Sequence, residues 1–187
     1  MVVWVIDSAG WFTAAERVVS PNCDPRPPAT VVDLLVIHNI SLPPGQFGGR
    51  WIDALFTNGL DGSAHPFFAQ LKGVKVSAHL LIRRDGALTQ FVSLHQRAWH
   101  AGLSTFGERT NCNDFSIGIE LEGTDEVPYT DAQYTTLVAA THAIMATYPA
   151  ITPTNIVGHA TIAPTRKTDP GPAFDWDRYR ELITSHN

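Results

Sequence analysis

The chain has 187 residues, of which 44% are hydrophobic; that suffices for one well-buried core and hardly for two, so residues 1–187 read as a single domain. Thirteen Lys and Arg against eighteen Asp and Glu leave a net charge of −5, which offers no footprint for a phosphate backbone or an anionic membrane and speaks against both as partners. The apolar start "MVVWVIDSAG" has no basic n-region and is stopped by Asp7, no segment approaches a membrane span, and Cys23 and Cys112 are too few for a disulfide framework; the expectation is a cytoplasmic protein with free thiols.

The first informative element is "VVDLLVIHN", 31–39, a nearly continuous β-branched and leucine run that predicts a strand buried on both faces, with His38 at its C-terminal end. "WIDALFTNG" predicts a short helix carrying Trp51, Ile52, Leu55 and Phe56, with Gly59 as its stop. "KVSAHLLIRRDGALTQFV" predicts a hairpin turned at Asp85-Gly86, its first strand placing Val76, Ala78, Leu80 and Ile82 on one face and Ser77 and His79 on the other. In "DFSIGIELEG", Phe115, Ile117, Ile119 and Leu121 alternate with Ser116, Gly118, Glu120 and Glu122, so Glu120 leaves a strand end opposite the apolar row. A capping box, Thr130-x-x-Gln133, opens a helix that Pro149 ends and that Tyr134, Leu137, Val138, Ile144, Met145 and Tyr148 carry. A short strand "NIVGH" follows, then the irregular loop "GHATIAPTRKTDPG" at 158–171, then an amphipathic helix from about Asp175 through Ile183. Helices interleave with strands, which predicts an α/β (α+β) fold with a central mixed sheet.

His38 and His159 follow strands, and Asp169 stands ten residues on in the loop. Two imidazoles, one carboxylate and an open fourth position form a ligand set that catalytic zinc uses. On residue types alone, satisfied core or surface histidines are the commoner reading, a glutamate on the polar face of an edge strand is ordinarily solvated, and Lys167 is an ordinary loop cation. The five together nevertheless supply what zinc-assisted amide hydrolysis needs: metal ligands, a carboxylate to take a proton (Glu120) and a cation for the oxyanion (Lys167).

"LLVIHNISLPPGQFG", "AHPFF", "VSAHLLIRRDG", "RAWHAG", "CNDFSIGIELEGTD", "YTDAQY" and "GHATIAPTRKTDPG" together resemble the AmpD-type anhydromuramyl-L-alanine amidases, over about residues 11–183. Their wider group includes T7-type lysozymes and peptidoglycan recognition proteins. The resemblance implies one Zn2+ per chain on His38, His159 and Asp169, Glu120 as proton acceptor and Lys167 as transition-state stabiliser. The implied reaction cuts the amide between anhydro-N-acetylmuramic acid and L-alanine of a soluble, small-molecule muropeptide. That places the chain in peptidoglycan recycling and so in the control of β-lactamase induction, with no obligatory protein partner.

On the substrate side the resemblance gives Asn39, Lys75, Trp99, His100 and Arg109. Lys75 stands at a position often arginine in the family, and Arg109 lies near a basic family position that here reads Asn111. His65 reads as structural, His79 as cleft-lining or structural, and His95, His142 and His186 as surface residues. Three rivals remain at this point. A non-catalytic peptidoglycan sensor commonly loses a ligand, and this chain keeps every one. A wall-lytic amidase needs export, for which no signal is visible. A structural zinc site uses four protein ligands.

Overall fold

The computed structural model describes residues 4–185, so His186 lies outside the described residues. Its strands are β1 (Glu16–Arg17), β2 (Cys23–Pro25), β3 (Leu34–Ile40), β4 (Leu80–Ile82), β5 (Leu88–Gln90), β6 (Gln96–Ala98), β7 (Thr105–Phe106), β8 (Arg109–Thr110), β9 (Ser116–Glu122) and β10 (Ile156–Gly158). Its α-helices are α1 (Trp51–Phe56), α2 (Asp131–Thr147), α3 (His159–Ile162) and α4 (Trp176–Thr184). Six strands form a mixed sheet in the order β1-β5-β4-β9-β3-β10, and β2-β6 and β7-β8 form two small ribbons. β4 and β5 pair antiparallel, whereas β4, β9, β3 and β10 run parallel. This is the mixed α/β arrangement that the interleaved pattern predicts.

Side-chain alternation divides the core into layers. Leu35 and Ile37 of β3, Ile117, Ile119 and Leu121 of β9, Leu80 and Ile82 of β4 and Ile156 of β10 face Tyr134, Leu137, Ala140 and Ile144 of α2 and Tyr179 and Ile183 of α4. On the opposite face Leu81 joins Leu55, Phe56, Phe68 and Phe91, while Leu34 and Val36 join Ala101, Cys112, Phe115 and Ile162. The site lies between these two smaller clusters.

α2 begins with the capping box complete: Gln133 N–H donates to Thr130 Oγ1 at 3.1 Å, and Thr130 N–H donates to Gln133 Oε1 at 3.1 Å. The hairpin turns where Asp85-Gly86 predicts. Gly86 has φ +84°, and a Cβ there would sit 2.9 Å from the Ala132 carbonyl oxygen of α2, so both the left-handed backbone and the close approach require glycine.

Several expectations are corrected. The first hairpin strand begins only at Leu80, so the alternation does not extend back: Val76 and Ala78 pack with Leu81, not with Leu80 and Ile82. Phe115, just outside β9, joins Cys112 and Ile162 instead of the Ile117 row. β9 is no edge strand but lies between β4 and β3 with all seven residues buried. The stop of α1 is Asn58, whose φ is +62°, rather than Gly59. The segment after β10 opens with a turn of helix, α3. His142 is half-buried rather than exposed, and its Nε2 lies 3.0 Å from the Ile183 carbonyl of α4.

Candidate active site

Parallel pairing sets the site. His38 of β3 and Glu120 of β9 are register partners, so their side chains leave the same sheet face at the same height. Gly158, the last residue of β10, pairs with Ile37, which brings His159 level with His38. The carboxyl ends of neighbouring parallel strands thus present three functional side chains together, where open α/β sheets ordinarily bind ligands. Asp169 is returned to them by the loop after α3, its carbonyl accepting the Ala160 N–H at 3.0 Å.

His38 Nδ1 and His159 Nδ1 are 2.9 Å apart, and each is 3.1 Å from Asp169 Oδ2. All three residues are buried. The outer nitrogens are also engaged: His159 Nε2 faces the Ala101 carbonyl at 3.0 Å, and His38 Nε2 faces His100 Nδ1 at 2.9 Å. A carbonyl accepts and never donates, so His159 carries its proton on Nε2 and turns a lone pair inward from Nδ1. A lone pair on His38 Nδ1 and the Asp169 carboxylate then complete three acceptors around one point, an arrangement that repels itself unless a cation lies among them. The donor set fits zinc, for which bonds of about 2.0–2.1 Å in a tetrahedron put ligand atoms about 3.3 Å apart; the separations here are a few tenths of an ångström shorter.

Burial pushes the His38 pKa down to about 4, with His159 adding to the effect and Asp169 opposing it. Burial pushes the Asp169 carboxyl up, but the facing imidazoles outweigh it and hold it well below the usual carboxylate range. Glu120 is raised well above its ordinary value by burial and by the nearby Asp169, with Lys167 acting against both. Its Oε2 is buried without a hydrogen-bond partner.

Glu120, His159, Lys167 and Asp169 line a cleft of about 390 Å³ with an apolar wall that includes Leu42, Phe56, Phe67, Val76 and Trp99. Trp99 is half-buried and tied in place by its backbone, Ser77 N–H donating to its carbonyl at 3.1 Å. Asn39 also lines the cleft, yet its amide is spent on structure: Nδ2 donates to Asp125 Oδ1 at 2.8 Å and to the Pro170 carbonyl at 3.1 Å.

The structure places three further substrate-side candidates differently from one another. His100 touches the cleft but is buried and bonded to His38. Lys75 is exposed and lines a neighbouring depression with Leu60, Phe68 and Lys72. Arg109 does not line the cleft: Asp33 holds its guanidinium at 3.0 Å, and it stacks on the Phe115 ring at 3.9 Å. Beside the cleft-lining Lys167, Arg166 reaches the site's edge, its Nη2 donating to the Ala101 carbonyl at 2.6 Å.

His65 and His79 hold local structure, and His95 lies at the surface as expected. His65 Nδ1 accepts the Phe67 N–H at 3.1 Å as a helix cap. His79 is fully buried, its Nδ1 accepting the Gly118 N–H at 3.0 Å. His95, though exposed, lies 2.9 Å from the Tyr148 hydroxyl. Sequence reasoning missed Ser116, Gly118 and Asn113 as members of the site. A glycine in mid-strand was the available signal, because it marks close approach by another group.

The sequence model of the N-acetylmuramoyl-L-alanine amidase family matches residues 28–172. The 1,6-anhydro-N-acetylmuramyl-L-alanine amidase AmpD of Escherichia coli is 60% identical over 175 residues, 94% of this chain and 95% of its own length. A crystal structure of a selenomethionine AmpD derivative superposes with a TM-score of 0.93 at 59% identity, covering 96% of this chain and 99% of the other. The Escherichia coli amidase AmiD, in complex with anhydro-N-acetylmuramic acid-L-Ala-D-γ-Glu-L-Lys, superposes with a TM-score of 0.59 at 32% identity, covering 84% of this chain and 60% of the other. Two histidines and a glutamate at the ends of neighbouring strands, an aspartate returned beside them by a loop, and near-complete coverage at this identity place the chain in the N-acetylmuramoyl-L-alanine amidase family, among its AmpD-type members.

Proposed function

We propose that the chain is a zinc-dependent amidase that hydrolyses the bond between 1,6-anhydro-N-acetylmuramic acid and L-alanine in soluble muropeptides during peptidoglycan recycling, working as one domain over residues 1–187. The observation that carries the proposal is the convergence of His38, His159 and Asp169 beside Glu120 and Lys167 in one cleft. His38, His159 and Asp169 would hold the metal. Zinc in such a site supplies a nucleophilic water at neutral pH and polarises the scissile carbonyl.

The chain's own residues do the rest. Glu120, buried and with one oxygen unpartnered, takes the proton from the attacking water and returns it to the leaving amine; its raised pKa suits a group that must hold that proton between the two steps. Lys167, on the cleft wall, donates to the oxyanion as charge develops there. Trp99 and its apolar neighbours exclude water from one side of the sugar and stem. The substrate class is supported by the activity for which the AmpD relative is named and by the anhydromuramyl peptide bound to AmiD. Among the described residues no helix is long and apolar enough to cross a membrane.

The test is incubation with an anhydromuramyl tripeptide, with and without chelator, and identification of the products by mass. Release of the intact peptide that stops on chelation and returns with zinc is expected. Cleavage indifferent to chelation overturns the metal role. Equal rates on the reducing-sugar analogue, or solubilisation of sacculi, overturn the recycling role in favour of wall lysis.

A further inference from the structure

One buried imidazole has no task in the reaction, and it is the one His38 leans on. The ring of His100 stands on β9 where that strand has no side chain: a Cβ on Gly118 would lie 2.5 Å from His100 Cγ and Nδ1. His100 Nδ1 is 2.9 Å from His38 Nε2, and His100 Nε2 is 3.1 Å from Ser116 Oγ. The backbone is pinned as well, the N–H groups of His100 and Ala101 both donating to Asn113 Oδ1, at 3.1 and 2.7 Å. The Ala101 carbonyl in turn receives His159 Nε2 at 3.0 Å. Two consecutive residues of "RAWHAG" therefore engage the outer nitrogens of both metal-site imidazoles, one through a side chain and one through a carbonyl.

We infer that His100 is a positioning residue for the metal site: the chain Ser116–His100–His38 fixes the His38 tautomer that presents a lone pair from Nδ1. The inference rests on the zinc reading above. Its logic is a proton count. If His38 Nε2–H donates to His100 Nδ1, the His100 proton sits on Nε2 and points at the Ser116 oxygen, and every contact in the chain is satisfied. In the reverse direction His100 Nδ1–H donates to His38 Nε2. The His38 proton then sits on Nδ1, between His159 and Asp169, where a cation needs a lone pair. Outer partners of metal-bound histidines are commonly carboxylates or carbonyls. A neutral imidazole in that place pulls the His38 proton less strongly than a carboxylate does, so His38 donates less charge inward. Two neutral imidazoles and one carboxylate leave a divalent ion with a net charge of about +1, which favours polarisation of a bound carbonyl.

The experiment measures zinc affinity by chelator competition for the wild type, His100→Leu and His100→Asn, together with the ring tautomers of the zinc-loaded wild type by long-range 1H–15N NMR. An asparagine Oδ1 stands where the imidazole Nδ1 does and can accept the same bond. His100→Leu is expected to weaken zinc binding about 10–100-fold, the usual effect of losing an outer partner. His100→Asn is expected to restore most of that affinity, and both His38 and His100 to carry their protons on Nε2. Unchanged affinity in His100→Leu, or no rescue by His100→Asn, overturns the positioning role while leaving the zinc reading intact. A wild type that binds no zinc overturns both. If His100→Leu does not fold, the wild-type spectrum decides alone, and a proton on His100 Nδ1 overturns the inference.

Discussion

Glu120 occupies a position where a carboxyl is hard to keep charged, because burial and Asp169 both favour its protonated form and Lys167 works against them. A general base in that position depends on the nearby cation for its ionised form. Glu120→Gln keeps the shape of the cleft and should retain zinc while losing about 10²–10⁴ in kcat, the range of a general acid–base group; near-normal turnover from the zinc-loaded variant would remove Glu120 from the reaction. Lys167→Gln should lower kcat with little change in substrate binding, because the charge acts on the transition state. It carries a second signature whose sign is fixed by the same electrostatics. Lys167 lowers the Glu120 pKa, so removing it raises that pKa, and the acidic limb of the kcat/KM profile should move to higher pH. A limb that stays in place would separate the two residues. Neither proposed role is legible from residue type alone, since a lone glutamate and a lone lysine are ordinary on any surface.

At the scale of elements, β9 does two jobs that its alternation announces and one that it hides. The apolar row Ile117, Ile119 and Leu121 faces the helices as the pattern predicts, and Ser116, Gly118 and Glu120 all face the site. What alternation could not reveal is that this second face is buried too, because neighbours on both edges come from sequence far away: β3 lies roughly eighty residues before it, and β4 approaches from the other side. Gly118 records that hidden layer. Gly118→Ala puts a methyl into the His100 ring, so it should destabilise by about 1–3 kcal/mol, as overpacking does, and it should weaken zinc binding because His100 is displaced. Loss of stability without any loss of metal affinity would mean that the metal site does not depend on where the His100 ring stands. α2 offers a cleaner case of legibility. Its capping box was readable from Thr130 and Gln133, and the Gln133 amide also donates to the Glu122 carbonyl at 2.9 Å, fastening the helix start to the end of β9. Thr130→Ala should cost about 1 kcal/mol, or about 2–4 °C in Tm for a chain of this size, by thermal denaturation; an unchanged Tm would mean that water replaces the cap without penalty.

For the whole molecule, the sequence carried the elements well and their assembly poorly. His38 and Glu120 each read as strand-end residues, but their meeting depends on the parallel register of β3 with β9, which no local spacing encodes. Arg109 illustrates the converse, for its proximity to a basic position in the family pattern said nothing of Asp33 and Phe115, which engage it outside the cleft. The same assembly buries a row of imidazoles, and this sets how the molecule answers acid. Burial pushes His38 down to about 4 from an ordinary 6.5, and burial with the Arg26 guanidinium pushes His79 to about 3. His100 is held well below its ordinary value by burial and by the neighbouring His38. Each is neutral when folded and takes a proton more readily when unfolded. Their contribution to stability is therefore complete above about pH 6.5 and is lost as pH falls towards 4 and then 3, at about 1.4 kcal/mol per pH unit for each group within its window. Glu120 acts oppositely, since its raised pKa makes protonation favour the folded state, and a metal held as proposed would compete with protons for His38. The informative sample is accordingly metal-free Glu120→Gln, in which the opposing titration is gone. Its Tm should fall steadily from pH 6.5 to 4.5, above the range where ordinary exposed carboxylates titrate, and more steeply than that of the metal-free wild type. A Tm that is flat across that interval would show that the buried imidazoles are already charged in the folded chain.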